Sequence, residues 1–344
     1  MWTVMPISEF DSVATVWQQI AHRVSASYLL GADFVRPLLR AYGSGAQLIA
    51  LYEGSNGPEA AGIVTRLKPV VWSTFQPSEA CLGLWMQPND VDSQHLAQGL
   101  MCRLPGFPMV MAVTDQDPRL CPRPPDGDHL RTIDYIRTAW VPIAGTFDQY
   151  WAERGKNLRN NMRRAHLQLE KSGIRARLET ITDSRAVATA IADYCRLETT
   201  GWKGKAGTAL RPDNAQGRFY REMLERACDR GLGRVYRYVF DDRAVAMDLC
   251  VVDDKSLVIL KTAYDEAHAS VSPASLMREA QCKDLFTAGD LQRIEFYGPL
   301  MEWHTRWTAE VVTMYHVNHY RYRLVQRLHE AYNNYRRRRD ESTV

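Results

Sequence analysis

The stretch that decides the fold runs over residues 258–307. It opens Val258-Ile259-Leu260-Lys261-Thr262-Ala263-Tyr264, crosses 265–272, starts a helix at Pro273-Ala274-Ser275-Leu276, returns as Arg293-Ile294-Glu295-Phe296-Tyr297 and ends in Glu302-Trp303-His304-Thr305-Arg306-Trp307. A β-branched strand, a small-residue loop, a helix and a second strand come in that order. Backbone N–H groups left open at a helix N-terminus, together with its positive dipole end, form an anion site that needs no charged side chain. A titratable cluster after the second strand gives such a unit the character of an enzyme site.

Working outward, residues 174–181 read as a strand, 184–198 and 214–230 as helices, and 234–240, 244–252 and 256–264 as three antiparallel strands. Asp241-Asp242 and Asp253-Asp254 supply the turns between them. Helix 275–288 and strand 293–297 complete the order. Upstream, residues 147–171 carry Leu158, Met162, Ala165 and Leu169 at helical spacing, with basic residues largely opposite and Gly173 in the stop position. Residues 315–339 are expected to close the chain as one long helix with Tyr320, Leu324, Leu328 and Tyr332 along a stripe.

The N-terminal part begins with helical patterns at 12–23 and 33–42. Strands at 47–52 and 60–68 flank the turn-rich Glu53-Gly54-Ser55-Asn56-Gly57-Pro58 as a hairpin. A helix at 91–103, a buried strand at 109–113 and a proline-rich connection at 118–128 come next. The expected class is α/β (α+β), with an N-terminal lobe at 1–145 and a C-terminal domain at 146–344, each a mixed, mostly antiparallel sheet flanked by helices.

With 344 residues the chain is comfortable for two domains, and 45% apolar with 24% charged residues is ordinary for a folded soluble protein. A net charge of +3 argues for no particular partner. Seven widely spaced cysteines without Cys-x-x-Cys or Cys/His ligand spacing read as reduced thiols in a cytoplasmic protein, with no zinc site. The N-terminus lacks a secretory pattern, and no apolar run reaches spanning length.

Four pieces carry a family resemblance: residues 156–164, Trp202-Lys203-Gly204-Lys205, Ser272-Pro273-Ala274 before a helix, and Glu295-Phe296-Tyr297-Gly298-Pro299. From about Trp151 to Trp307 the chain resembles the CelD/BcsL-like acetyltransferases of the GNAT superfamily, close to the FemAB-type double GNAT proteins. That family often has Gly where Ala274 stands, and a Tyr-Lys pair near Trp303-His304. The resemblance implies acetyl-CoA or another acyl-CoA in a groove between two splayed strands. Its pyrophosphate would lie on the loop His268-Ala269-Ser270-Val271-Ser272 with Ser275, and its thioester against the strand bearing Lys261 and Ala263. Ser272 and Ser275 serve equally as plain helix caps.

Acyl transfer to an amine needs a base and an oxyanion donor. Direct attack is the simpler course, because no Ser, His and Asp spacing suggests an acyl-enzyme. Candidate bases are His304, Asp248, Glu295, Glu198 and Glu302, while Tyr297 or Tyr264 is placed to protonate the leaving thiolate. His304 between Trp303 and Trp307 reads either as a tuned base or as a structural ring. Asp248, inside an apolar strand, is either functional, turned to solvent on the polar face, or an ion-pair partner of Lys261. Glu198, Trp202, Lys203 and Trp303 are the candidate acceptor contacts.

The basic residues Lys156, Arg159, Arg163 and Arg164 suit a CoA phosphate, an anionic acceptor, RNA or plain solvation. The first expectation is an acyl-CoA-dependent N-acyltransferase acting on an amine of an amino sugar or small envelope or exopolysaccharide precursor. The second is a FemAB-like transferase using charged tRNA, and the third a non-catalytic GNAT-fold binding subunit. No metal is called for, and the oligomeric state is left open.

Overall fold

The computed structural model describes residues 1–55, 57–200, 207 and 209–341. Contacts divide the chain into two compact units. Unit 1 comprises Met1–Ala32, Gly43–Ile136 and Thr313–Val344, and unit 2 comprises Asp33–Tyr42 and Arg137–Val312. This differs from the expected break at 145, in that the C-terminal segment belongs with the N-terminal unit. The reason is a strand where a helix was expected: β13 (Val311–Tyr320) pairs antiparallel with β6 (Val110–Gln116), joining Tyr320 to Val110. Only Arg323–Glu341, here α10, is helical.

In unit 1 the order is β1 (Trp2–Pro6), α1 (Phe10–Val24), β2 (Leu48–Gly54), β3 (Gly57–Lys68), β4 (Val71–Thr74), α3 (Ser93–Met101) and β6. Helix α2 (Ala32–Tyr42) falls between α1 and β2 in the chain, while its residues from Asp33 pack within unit 2. The sheet runs β1-β2-β3-β4-β6-β13, with the short β5 (Trp85–Met86) on β3. All its neighbours are antiparallel except β4 and β6. Gly83 is required in this unit, since a Cβ there would lie 1.8 Å from the Thr114 carbonyl oxygen.

Unit 2 repeats the order. Strand β8 (Ala176–Ile181), α6 (Ser184–Thr200), α7 (Ala215–Asp229), β9 (Gly233–Phe240), β10 (Arg243–Asp253), β11 (Ser256–Tyr264), α8 (Pro273–Ala288) and β12 (Arg293–Glu295) succeed one another. Strands β8 to β11 are antiparallel neighbours, β11 and β12 are parallel, and residues 140–142 of β7 (Leu130–Pro142) close the sheet against β12. The Asp-Asp turns form as expected, with Asp241 and Asp254 both at φ 52°, a left-handed conformation that aspartate tolerates.

The expected helix at 147–171 is two helices, α4 (Phe147–Ala152) and α5 (Lys156–Lys171), interrupted at Gly155. The predicted stripe of α5, Leu158, Met162, Ala165 and Leu169, is buried against strand residues such as Tyr236, Tyr238 and Ile294 and against Leu276 and Leu285 of α8. Each unit is thus a mixed α/β sheet with helices on it, and among the described residues no helix is long and apolar enough to cross a membrane.

Candidate active site

Strands β11 and β12 are paired only over Ser256–Val258 and Arg293–Glu295. Beyond that point β11 continues to Tyr264 while β12 stops, and Tyr297 at φ 42° turns the chain away. The two strands splay. The β10–β11 register also slips between Leu249 and Cys250, leaving Leu260 as an extra residue in β11. Such a bulge bends a strand and re-aims the side chains beyond it.

The opening is a cavity of about 1030 Å³ within unit 2, large enough for a bulky cofactor. Two helix starts border it: Gly155, Asn157 and Asn161 of α5, and Ser272, Pro273, Ala274 and Ser275 of α8. Neither helix has a side-chain cap hydrogen bond at its N-cap residue, Gly155 or Ser272. Ser272 sits at φ 51°, ψ 63°, with its carbonyl accepting from Ser275 N at 2.9 Å. Two long helices therefore turn their positive ends toward one cavity, α5 with an uncapped first turn and α8 with the Ala274 N–H, since Pro273 has none and Ser275 donates to Ser272; together they form an environment suited to a diphosphate.

Thr262 and Tyr264 line the cavity from β11, and Arg278 lines it from the second turn of α8. Arg278 is only 3% exposed, and it is held by Asp248, which is wholly buried. Its Nη1 lies 2.9 Å from Asp248 Oδ2 and donates to Gln281 Oε1 at 2.5 Å. Gln281 Nε2 donates to Asp248 Oδ2 at 2.9 Å and Thr262 Oγ1 to Oδ1 at 2.5 Å, so the carboxylate is saturated with donors. Among the described residues Arg278 Nε and Nη2 have no acceptor, which leaves these donors for whatever occupies the cavity. Arg278 escaped sequence reading; its only signal was an arginine next to Met277 in a helix otherwise buried on several sides.

The segment 302–307, which contains the one-turn helix α9 (Glu302–Thr305), forms the far wall through Glu302, Trp303, Thr305, Arg306 and Trp307. Among the described residues Glu302 is the one carboxylate of the lining, exposed and 2.8 Å from Arg306. His304 is buried and absent from that lining. Its Nδ1 accepts from Met301 N at 2.9 Å, its ring stacks on Trp303 at 3.7 Å, and burial pushes its pKa down to about 4. A neutral ring with Nδ1 already bonded carries its proton on Nε2, so it is poorly suited to accept another at neutral pH.

The remaining expected residues divide between the two faces of the sheet. Alternation along β11 turns Lys261 away from Thr262, and its Nζ lies 3.5 Å from Glu198 Oε1, so the expected Asp248–Lys261 pair is not formed. Glu198, 4% exposed, also takes the Leu210 N–H at 2.6 Å and lies 3.5 Å from Tyr194 Oη. Glu295, 1% exposed, pairs with Arg293 at 3.0 Å. Neither carboxylate reaches the cavity lining.

Of the expected phosphate loop, Ala269, Ser272 and Ser275 line the cavity. Val271 belongs to the hydrophobic core, Ala263 is buried, Ser270 is exposed outside the lining, and His268 packs edge-on against Phe240 at 5.3 Å. Trp303, a candidate acceptor contact, lines the cavity, whereas Trp202 and Lys203 lie outside the described residues. Tyr297 is half-buried just past β12 and is not part of the lining.

Residues 156–305, all within unit 2, match the family model described as acetyltransferase (GNAT) domain. The chain is similar in fold to the C-terminal domain of a putative lysylphosphatidylglycerol synthetase from Agrobacterium fabrum, with 12% identity, 90% of this chain and 92% of that one covered, and a TM-score of 0.56. FemX gives 8% identity, 95% and 99% coverage, and a TM-score of 0.56. A conserved protein of unknown function from Bacteroides thetaiotaomicron gives 8%, 93% and 99%, and 0.55. No curated protein matches the sequence.

Proposed function

We propose that the protein is an acyl-CoA-dependent N-acyltransferase of the CelD/BcsL-like kind that transfers its acyl group directly to an amine. The observation that carries this reading is the convergence of two uncapped helix N-termini on a 1030 Å³ cavity opened by splayed strands. The diphosphate lies at the positive end of α8, on the Ala274 N–H, and the thioester carbonyl on the open donors of Arg278. Glu302 takes the proton from the amine as its nitrogen attacks the thioester carbon; the C–S bond then breaks and Tyr264 protonates the departing thiolate. Asp248 acts through Arg278, and His304 positions the 301–307 wall. The acceptor in this reading is the amine of an amino sugar or small envelope precursor.

The test is release of free CoA thiol from acetyl-CoA in the presence of amino sugars. Amine-dependent release that falls in Glu302→Gln with unchanged acetyl-CoA affinity supports the reading, and the absence of release with any amine opposes it. A charged-tRNA donor is favoured by one observation, the exposed basic residues Lys156, Arg159, Arg163 and Arg164 on the helix that borders the cavity. That donor predicts tRNA binding that weakens steeply with salt.

A further inference from the structure

Helix α10 packs on unit 1 by its polar side. Gln326 is buried, its Nε2 donating to the Gly127 carbonyl at 3.1 Å while its Oε1 accepts from His129 N at 2.8 Å. One turn on, His329 Nδ1 lies 2.7 Å from Tyr320 Oη, and Glu330 pairs with Arg131. The apolar residues are turned outward: Leu324, Leu328, Tyr332 and Tyr335 are 58–67% exposed. Spaced three and four residues apart, they form one stripe. A surface helix ordinarily presents such a stripe to the core, so the amphipathicity of α10 is reversed.

At its start the stripe adjoins a second exposed apolar group. The rings of Tyr322 and Phe107 lie 6.4 Å apart, and the Arg321 guanidinium sits over the Phe107 ring at 4.6 Å. Met109 N donates to the Val70 carbonyl at 2.8 Å, and Arg321 N to the Met109 carbonyl at 2.9 Å, so the three loops run side by side. Leu67, Val70, Phe107 and Tyr322 are all exposed there. Apolar surface gathered in this way marks an interaction site. Its charge has one sign, for residues 66–70, 102–109 and 321–328 hold six Lys and Arg and no Asp or Glu. Asp128 offsets Arg323 at 2.5 Å, while Arg66, Lys68, Arg103 and Arg327 are exposed. Further along α10 the sequence adds four arginines and two acids over 336–341.

We infer that this face of unit 1 docks on the surface of an anionic lipid bilayer. Leu324 and Leu328 enter the boundary between headgroups and acyl chains, the tyrosines sit at headgroup level, and the arginines and lysine meet the lipid phosphates. The helix lies on the bilayer and does not cross it, being neither long nor apolar enough. A second copy of the chain is opposed by charge, because a two-fold interface would set these cations against themselves. A nucleic acid would answer the cations and leave the leucines uncovered. None of this rests on acyl transfer in unit 2.

The experiment is co-sedimentation of the full chain with vesicles of phosphatidylcholine alone and of phosphatidylcholine mixed with phosphatidylglycerol, at low and high salt. We expect saturable binding to the anionic vesicles that salt weakens, and little binding to the neutral ones. Leu324→Ser combined with Leu328→Ser should weaken it about tenfold or more, and Arg327→Gln about fivefold. All three side chains are exposed, so both variants should keep the thermal midpoint of the parent. Absence of binding to the anionic vesicles, equal binding to the neutral ones, or binding unchanged in the leucine variant would overturn the assignment. So would a dimer in sedimentation velocity that the leucine variant dissociates, which would give this face to a second copy of the chain.

Discussion

Replacing Asp248 by leucine strips Arg278 of its counter-ion while leaving a guanidinium that is 3% exposed. Removing one partner of a buried ion pair costs roughly 3–5 kcal/mol. Because Arg278 borders the cavity, water reaches part of it, and the lower end, about 3 kcal/mol, is expected. Changing Arg278 to methionine as well removes the stranded charge and leaves mainly Gln281, fully buried, short of its carboxylate acceptor. Arg278→Met alone strands the wholly buried Asp248 at a similar cost of about 3 kcal/mol, whereas the double variant should lose only about 1–2 kcal/mol, a coupling of about 4–5 kcal/mol. Urea denaturation of the three variants, followed by circular dichroism, measures it. Losses that simply add, with coupling below about 0.5 kcal/mol, would show that Asp248 does not hold Arg278 and would remove the basis for its role in the cavity.

Other expectations concern single sites. Gly217→Ala should destabilise although alanine is the better helix former by about 1 kcal/mol, because its Cβ would meet the Arg211 carbonyl oxygen at 1.9 Å; a rise in thermal midpoint would contradict this packing. Since the folded-state pKa of His319 lies near 4, below its unfolded value, its contribution is present above pH 6.5 and lost as pH falls toward 4. At about 1.4 kcal/mol per pH unit the loss is roughly 3 kcal/mol, and His319→Phe should flatten the acid limb of stability measured by denaturation across that range. His304→Ala should lower stability and leave the pH dependence of turnover near neutrality unaltered; loss of a titration near pH 6.5 in that variant would make His304 a base after all.

Much of unit 2 was legible because local chemistry and global fold agree there. The aspartate turns at Asp241 and Asp254 separate β-branched runs, and the four apolar residues of α5 mark its buried face. Strand β13 misread as helix because Tyr320, Leu324, Leu328 and Tyr332 recur every four residues, yet Tyr315, Val317 and His319 alternate inward with strand period. Strands β1, β4, β5 and β7 were not anticipated, being short or bordered by polar residues whose burial depends on distant partners. At the site, the helix N-terminus at Ser272 was readable from Ser-Pro. Arg278, the fate of Lys261 and the burial of His304 were not, since each is decided by which sheet face a residue occupies and by what packs over it.

The measurement closest to the centre of this reading is calorimetric titration of the full chain and of Ser275→Asp with acetyl-CoA. Aspartate in the first helical turn favours the helix, so the variant should be at least as stable as the parent, while its charge opposes a diphosphate at the same helix end. Saturable binding weakened about tenfold or more in the variant is the expected result, equivalent to roughly 1.4 kcal/mol. Absence of binding by the parent, or equal affinity in both proteins, would contradict an acyl-CoA seated on the N-terminus of α8.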